Sequence, residues 1–197
     1  MELNSLEEAK ELLLNDKLIS YPTETIFGLA VNPFSEKAVK KLFEFKQRPV
    51  GQGVTLIVDK QERLDSIGII ETLELKRNRI ELQQKYWPGP LTVVVKVDKN
   101  IFPLSHDLLG PDNTIGLRVS SLELARDLAS CCGGFVTATS ANLRNETPAK
   151  TFDEARSVLS NIATLRGECL LKDSPSTIVD LSISPFTILR EGAIALR

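Results

Sequence analysis

Two hydrophobic periods alternate along this chain, one of about 3.6 residues and one of two. Ser5 and Glu8 form a capping box, Ser5 accepting from the third helical N–H while Glu8 reaches back to the Ser5 N–H, and a helix from Leu6 to Asn15 follows. Lys17 to Tyr21 reads as a short strand, closed by Pro22, whose missing N–H cannot serve a central ladder. After Ser35 the stretch EKAVKKLFEF puts Ala38, Val39, Leu42 and Phe43 on one helical face and Lys37, Lys40 and Lys41 on the other, and Pro49 stops it past Arg48.

The same reading predicts strands at Gly53–Asp59, Leu91–Val97, Thr114–Val119 and Phe135–Thr139, with a helix from Thr72 to Tyr86 broken by Pro88-Gly89-Pro90. Ser120 with Glu123, and Thr151 with Glu154, predict two further capping boxes before apolar positions at helical spacing. Short strands are expected near Leu170, Ile178 and Ile188, and the segment from Leu143 to Lys150 is the best flexible loop. Strands and helices alternate throughout, which is the α/β class. No internal repeat, low-complexity stretch or linker divides the chain, so residues 1–197 are expected to be one domain.

Composition removes several classes of function. The chain has 197 residues, 42% hydrophobic and 25% charged, a composition that carries neither a disordered nor a low-complexity signature. His106 is the single histidine, which excludes any mechanism needing two imidazoles and any His-rich zinc site. Cys131, Cys132 and Cys169 have no metal-ligand spacing, and their odd number suits a reduced protein; no metal site is expected. The acidic, helix-patterned N-terminus lacks the features of a signal peptide, and no apolar run nears the roughly 18 residues of a membrane span. A cytoplasmic location without membrane association is the expectation. A net charge of -2 argues against a surface uniformly built for nucleic acid.

The familiar phosphate-binding and nucleophile motifs are missing: there is no G-x-x-x-x-G-K-[ST], no G-x-G-x-x-G after a strand and no G-x-S-x-G. Polar clusters instead gather at predicted strand ends, where open α/β sheets form ligand crevices. They are Tyr21-Pro22-Thr23-Glu24-Thr25, Lys46-Gln47-Arg48-Pro49, Thr114 with Arg118, Thr139-Ser140-Ala141-Asn142, Ser176-Thr177 and Arg190. Taken singly, each has a plain structural reading. Lys46 and Arg48, for example, sit at a helix C-terminus, where the macrodipole alone favours cations by roughly 0.3–1 kcal/mol. Arg118 differs, because it lies in an otherwise apolar strand beside Ile115, Leu117 and Val119, where a guanidinium needs an anion or solvent. That points to recognition of a carboxylate or phosphate. Trp87, Cys132 and Cys169 read as packing residues, and His106 receives no role.

Seven segments carry a family resemblance: YPTETIFGL (21–29), KQRP (46–49), WPGPLT (87–92), TIGLRV (114–119), TSAN (139–142), STIVDL (176–181) and ILREG (188–192). In this order they resemble the short, single-domain form of the YrdC/Sua5 family, the threonylcarbamoyl-AMP synthases. The resemblance implies a fold with an open, twisted, mixed parallel and antiparallel sheet flanked by helices. It also implies a reaction in which L-threonine, bicarbonate or CO₂, and ATP give threonylcarbamoyl-AMP and pyrophosphate. The product would serve t6A modification at position 37 of ANN-decoding tRNAs, so tRNA or the proteins that use the adenylate become expected partners.

Carried over onto this chain, the resemblance places Lys46, Arg48, Ser140 and Asn142 at the ATP phosphates, with Lys46 and Arg48 as the catalytic cations. It adds Thr114 and Arg190 to the nucleotide site, and it assigns Thr23, Arg118 and Ser176 to the threonine pocket. Mg²⁺ would be held by phosphates. The chain departs from the family pattern at Ala30, at Gly51–Ile57, at Arg144-Asn145 and at Lys172–Pro175. It also ends at Arg197, without the further domain of the long form. Two competing readings are a non-catalytic module of this fold that binds structured RNA, suggested by basic residues along Lys37–Arg48 and Lys76–Arg79, and a carbamoyl-transfer component of a larger assembly.

Overall fold

The computed structural model describes residues 1–142, 146–171 and 174–196. The first half of the chain forms β1 (Glu2–Leu3), α1 (Leu6–Leu14), β2 (Ile19–Tyr21), β3 (Gly28–Ala30), α2 (Glu36–Lys46), β4 (Thr55–Val58), β5 (Ile69–Ile70) and α3 (Leu73–Tyr86). The second half adds β6 (Leu91–Val97), β7 (Thr114–Arg118), α4 (Glu123–Cys131), β8 (Phe135–Thr137), β9 (Thr139–Ser140), α5 (Phe152–Val158), β10 (Ala163–Leu165), β11 (Thr177–Asp180) and β12 (Thr187–Arg190).

The mixed sheet that the resemblance implies is built as two. A five-stranded sheet runs β1-β10-β2-β3-β9, and a seven-stranded one runs β12-β11-β6-β7-β4-β8 with β5 paired to β6. Both mix directions: β10 is parallel to β2 while β3 is antiparallel to it, and β7 is parallel to β4 while β6 is antiparallel to β7.

The capping boxes at Ser5–Glu8 and Thr151–Glu154 form as predicted. The one at Ser120 does not. The Ser120 hydroxyl donates to the buried Glu24 carboxylate and accepts from Leu122 N–H, so α4 begins at Glu123 without a side-chain cap. Donation to the carboxylate holds the hydroxyl toward Glu24, where its lone pair meets the Leu122 N–H and not the Glu123 N–H.

The predicted strand at Phe135–Thr139 breaks at Ala138, because β8 pairs β4 in one sheet while β9 pairs β3 in the other. No strand forms at Leu170, and the place beside β2 is taken by Ala163–Leu165. Leu143, Arg144 and Asn145 of the 143–150 loop and the Lys172-Asp173 pair lie outside the described residues.

Trp87 is half-buried, donates from Nε1 to Leu91 O at 2.7 Å, and precedes a cis peptide to Pro88, so it anchors the start of β6 as expected. Cys132 and Cys169 are buried among apolar side chains. Among the described residues no helix is long and apolar enough to cross a membrane.

The period-two alternation decides where the site lies. On the seven-stranded sheet one face carries Leu56 and Val58, Val93 and Val95, Ile115 and Leu117, and Val179, all in the larger core with α2. The opposite face carries Thr55 and Ile57, Thr92 and Val94, Thr114, Gly116 and Arg118, and Ile178 and Asp180. Helices α1 and α4 cover the Ile57 and Val136 part of that second face and make a smaller core. The remainder, over β7, β6 and β11, is left to a cavity.

Candidate active site

A cavity of about 610 Å³ lies against that uncovered face, within the range of small-molecule sites. It is further lined by Thr23 and Thr25–Gly28, by Gln52–Val54, and by Ala138–Ser140. Thr23, Thr25, Arg48, Thr114, Arg118, Thr139, Ser140, Ser176 and Arg190, all from the predicted strand-end clusters, line this cavity along the sheet face.

Thr23, Arg118, Ser176 and Arg190 meet at one end of the cavity, while Arg48, Thr114 and Ser140 line it further along. Lys46 and Asn142 stand one layer back, behind Ser140.

Arg118 closes β7 and is only 4% exposed. Its Nη1 donates to Thr25 Oγ1 at 3.2 Å and lies 3.7 Å from Glu24 Oε1. Thr23 Oγ1 donates to Ile26 O at 2.7 Å, so the 3.1 Å contact between the two threonine hydroxyls is Thr25 donating to Thr23. A directed chain thus runs from Arg118 through Thr25 and Thr23 to a carbonyl.

Across the end of the cavity, Arg190 Nε and Nη2 donate to Ser176 O at 3.0 and 2.8 Å, and Nη2 also reaches Ser176 Oγ at 3.1 Å. Ser176 Oγ is 2.9 Å from Thr92 Oγ1. Burial lowers the Arg190 pKa, and the positive charge of Arg118 lowers it further. Two guanidiniums that repel one another across a cavity end form a receptor for an anion.

At the other cationic cluster, α2 ends in a left-handed Gln47, which turns Arg48 back toward the sheet. Arg48 donates from Nε to Gln52 Oε1 at 2.9 Å and from Nη2 to Gln52 O and Gly53 O, both at 2.7 Å. Lys46 Nζ donates to Ser140 O at 3.0 Å and to Asn142 O and Oδ1, each at 2.9 Å, which uses all three N–H of an ammonium. Burial, with Arg48 as a second cause, pulls the Lys46 pKa down to about 8. Ser140 Oγ completes the cluster by donating to Asn142 Oδ1 at 2.6 Å.

Thr114 Oγ1 donates to Pro111 O at 2.8 Å after Asp112 and Asn113, both at positive φ. Gly110 and Gly53 meet backbone to backbone beside it: a Cβ on Gly110 would stand 3.2 Å from Gly53 Cα and 2.9 Å from Thr114 Oγ1.

Apolar lining comes from β6 and from β11 and β12, with Ile178, Val94, and the exposed Ile183 and Leu189. Asp180 Oδ1 there accepts from Ser182 N–H at 2.8 Å and Ser182 Oγ at 2.6 Å. Among the described residues, no three His, Cys, Asp or Glu side chains are arranged to hold a metal ion.

Sequence reasoning missed Glu24, Thr25, Thr92 and Asp180. For Asp180 the signal was present, since Ser176, Ile178 and Asp180 share one face of a strand by alternation. Thr92 follows from the same rule in LTVVVKV. Glu24 stood in the named cluster after β2, but its partners lie on β7 and the loop that follows it, which no local pattern reveals.

The Sua5/YciO/YrdC family model, described as "Telomere recombination", matches residues 11–192. The protein named threonylcarbamoyl-AMP synthase from Vibrio campbellii is 33% identical over 192 residues, covering 96% of this chain and 100% of that protein. The one of the same name from Photobacterium profundum is 35% identical over 193 residues, with the same coverage. Among solved structures, Sua5 of P. abyssi complexed with L-threonine superposes with a TM-score of 0.85 at 25% identity, over 98% of this chain and 57% of that chain. E. coli YciO superposes at 0.78 and 22% identity over 98% and 94%, a likeness of fold.

Proposed function

Because the chain belongs to the Sua5/YciO/YrdC family, we propose that it is a threonylcarbamoyl-AMP synthase, a nucleotidyltransferase that joins L-threonine, bicarbonate or CO₂, and ATP. The observation that carries this reading is the convergence of Thr23, Arg118, Ser176 and Arg190 with Arg48, Thr114 and Ser140 on a single cavity. The substrate supplies its own nucleophile. CO₂, or bicarbonate with loss of water, adds to the unprotonated threonine amine, which gives up a proton to form N-carboxy-threonine, and the new carboxylate oxygen attacks the α-phosphorus. The bond to pyrophosphate breaks, and the adenylate and pyrophosphate leave.

Such a step needs alignment and charge compensation and no protein nucleophile. Arg118 binds the threonine carboxylate, with Thr23 and Ser176 on either side. Arg48 offsets charge on the triphosphate and on the departing pyrophosphate. Lys46 holds the 140–142 turn against the phosphates and adds its charge from behind. Thr114 and Arg190 contact the nucleotide. The apolar lining near Ile183 and Leu189, beside Arg190, suits a nucleoside. Mg²⁺ would be held mainly by the phosphates and water, offsetting phosphate charge beside Arg48. The adenylate would pass to the machinery that installs t6A on ANN-decoding tRNAs, and the work would take place in the cytoplasm.

The test is pyrophosphate release from protein, ATP, Mg²⁺, L-threonine and bicarbonate. Release that requires both threonine and bicarbonate supports the reading. Release independent of either one, or none at all, overturns it.

A further inference from the structure

Glu24 is wholly buried one layer behind the cavity wall, between Thr23 and Thr25, which line it. Its Oε2 accepts from Ser120 Oγ, but Oε1 has no hydrogen-bond partner, and the nearest cationic atom is Arg118 Nη1 at 3.7 Å. Arg118 Nε is likewise buried without a partner, and among the described residues Nη2 has no hydrogen bond. The pair is therefore poor as a fold-stabilising ion bridge, because burying two charges is repaid only by close geometry and full hydrogen bonding.

The charge has a clearer use toward the ligand. Arg118 and Arg190 alone would make this end of the cavity attractive to any anion, including the phosphates of the co-substrate. A fixed carboxylate immediately behind Thr23 and Thr25 makes the site dipolar: positive at the guanidiniums, negative behind the hydroxyls. An α-amino acid zwitterion is the complementary dipole, its carboxylate on Arg118 and its ammonium against the Thr23–Thr25 wall. Between protein walls, a fixed charge a few ångströms beyond contact acts on a ligand charge more strongly than it would in bulk water.

Resting on the threonine reading above, we propose that Glu24 is a specificity-determining residue, selecting the zwitterionic amino acid over simple carboxylates and phosphates by its charge. Two ligands of nearly equal shape isolate the effect: L-threonine, and the hydroxy acid that carries a hydroxyl where threonine carries its ammonium.

The experiment is calorimetric binding of both to the full chain in the presence of a non-hydrolysable ATP analogue. The wild type should prefer threonine by about tenfold or more. In Glu24→Gln that preference should fall at least tenfold, with the hydroxy acid binding more tightly than before. Ser120→Ala loses the hydroxyl partner of Glu24 but keeps the charge, and it should retain the wild-type preference. A preference that falls equally in both variants would make Glu24 a merely structural positioning residue and overturn the inference. So would a wild type indifferent to the ammonium, even if Glu24→Gln fails to fold. Failure of the wild type to bind threonine at all would remove the underlying functional reading instead.

Discussion

Lys46 gives its three N–H to three oxygens of the 140–142 turn, so its protonation state decides whether that turn is held. Burial, then Arg48, lowers its pKa to about 8 in the folded protein, against an ordinary value of 10.5. The ammonium is intact at neutral pH. Between about 8 and 10.5 the unfolded chain holds more protons than the folded one, so this group adds stability as pH rises through that window. Its effect on an anion runs the other way, because the charge facing the phosphates disappears there. ATP affinity is accordingly expected to fall with a midpoint near pH 8, and Lys46→Met should bind more weakly and lose that step. Nucleotide titrations from about pH 7 to about pH 9.5 check this, and affinity rising across the range would contradict it. At this scale Arg118 was legible, since a guanidinium in an apolar strand must answer to something. Its buried counter-charge was not, because Glu24 comes from a segment 93 residues or more away from the partners it meets.

Strands β6, β7 and β11 were legible because each alternates over several residues, which also fixes which side chains face the cavity. Strands of two or three residues, such as β1, β3 and β10, carry no period to read and exist through their neighbours. The false capping box at Ser120 has the same origin, a local pattern overruled by a distant carboxylate. The junction of β12 with the 175–176 segment gives an element-level test. A Cβ on Gly192 would press on the Pro175 carbonyl and stand 2.6 Å from the Ser176 carbonyl carbon and oxygen, all backbone atoms with little room to yield. Gly192→Ala is expected to cost about 1–3 kcal/mol of stability. It should also weaken threonine binding, because Ser176 and Arg190 move with that junction. Denaturant unfolding and a threonine titration measure the two effects, and a variant equal to wild type in both would show that the junction accommodates the methyl group.

Strand pairing is a property of the whole molecule, and the division into two sheets could not be read from any window of sequence. Two sheets and two cores resemble two folding units, but β4 argues otherwise. Leu56 and Val58 belong to the larger core while Ile57 between them belongs to the smaller, so neither core keeps its shape without that strand. The chain also passes directly from β8 in one sheet to β9 in the other, and the cavity takes its walls from both. Residues 1–197 are therefore proposed to unfold as one cooperative domain, with a single calorimetric peak whose measured enthalpy matches the van't Hoff value. Because the substrates would bridge the sheets, ATP analogue and threonine should move that whole peak upward. At about a hundred times Kd a ligand adds about 2.7 kcal/mol, which for a chain of this size means roughly 5–11 °C. Two peaks, with ligand moving just one, would instead show that the sheets melt separately and that the cavity belongs to one of them.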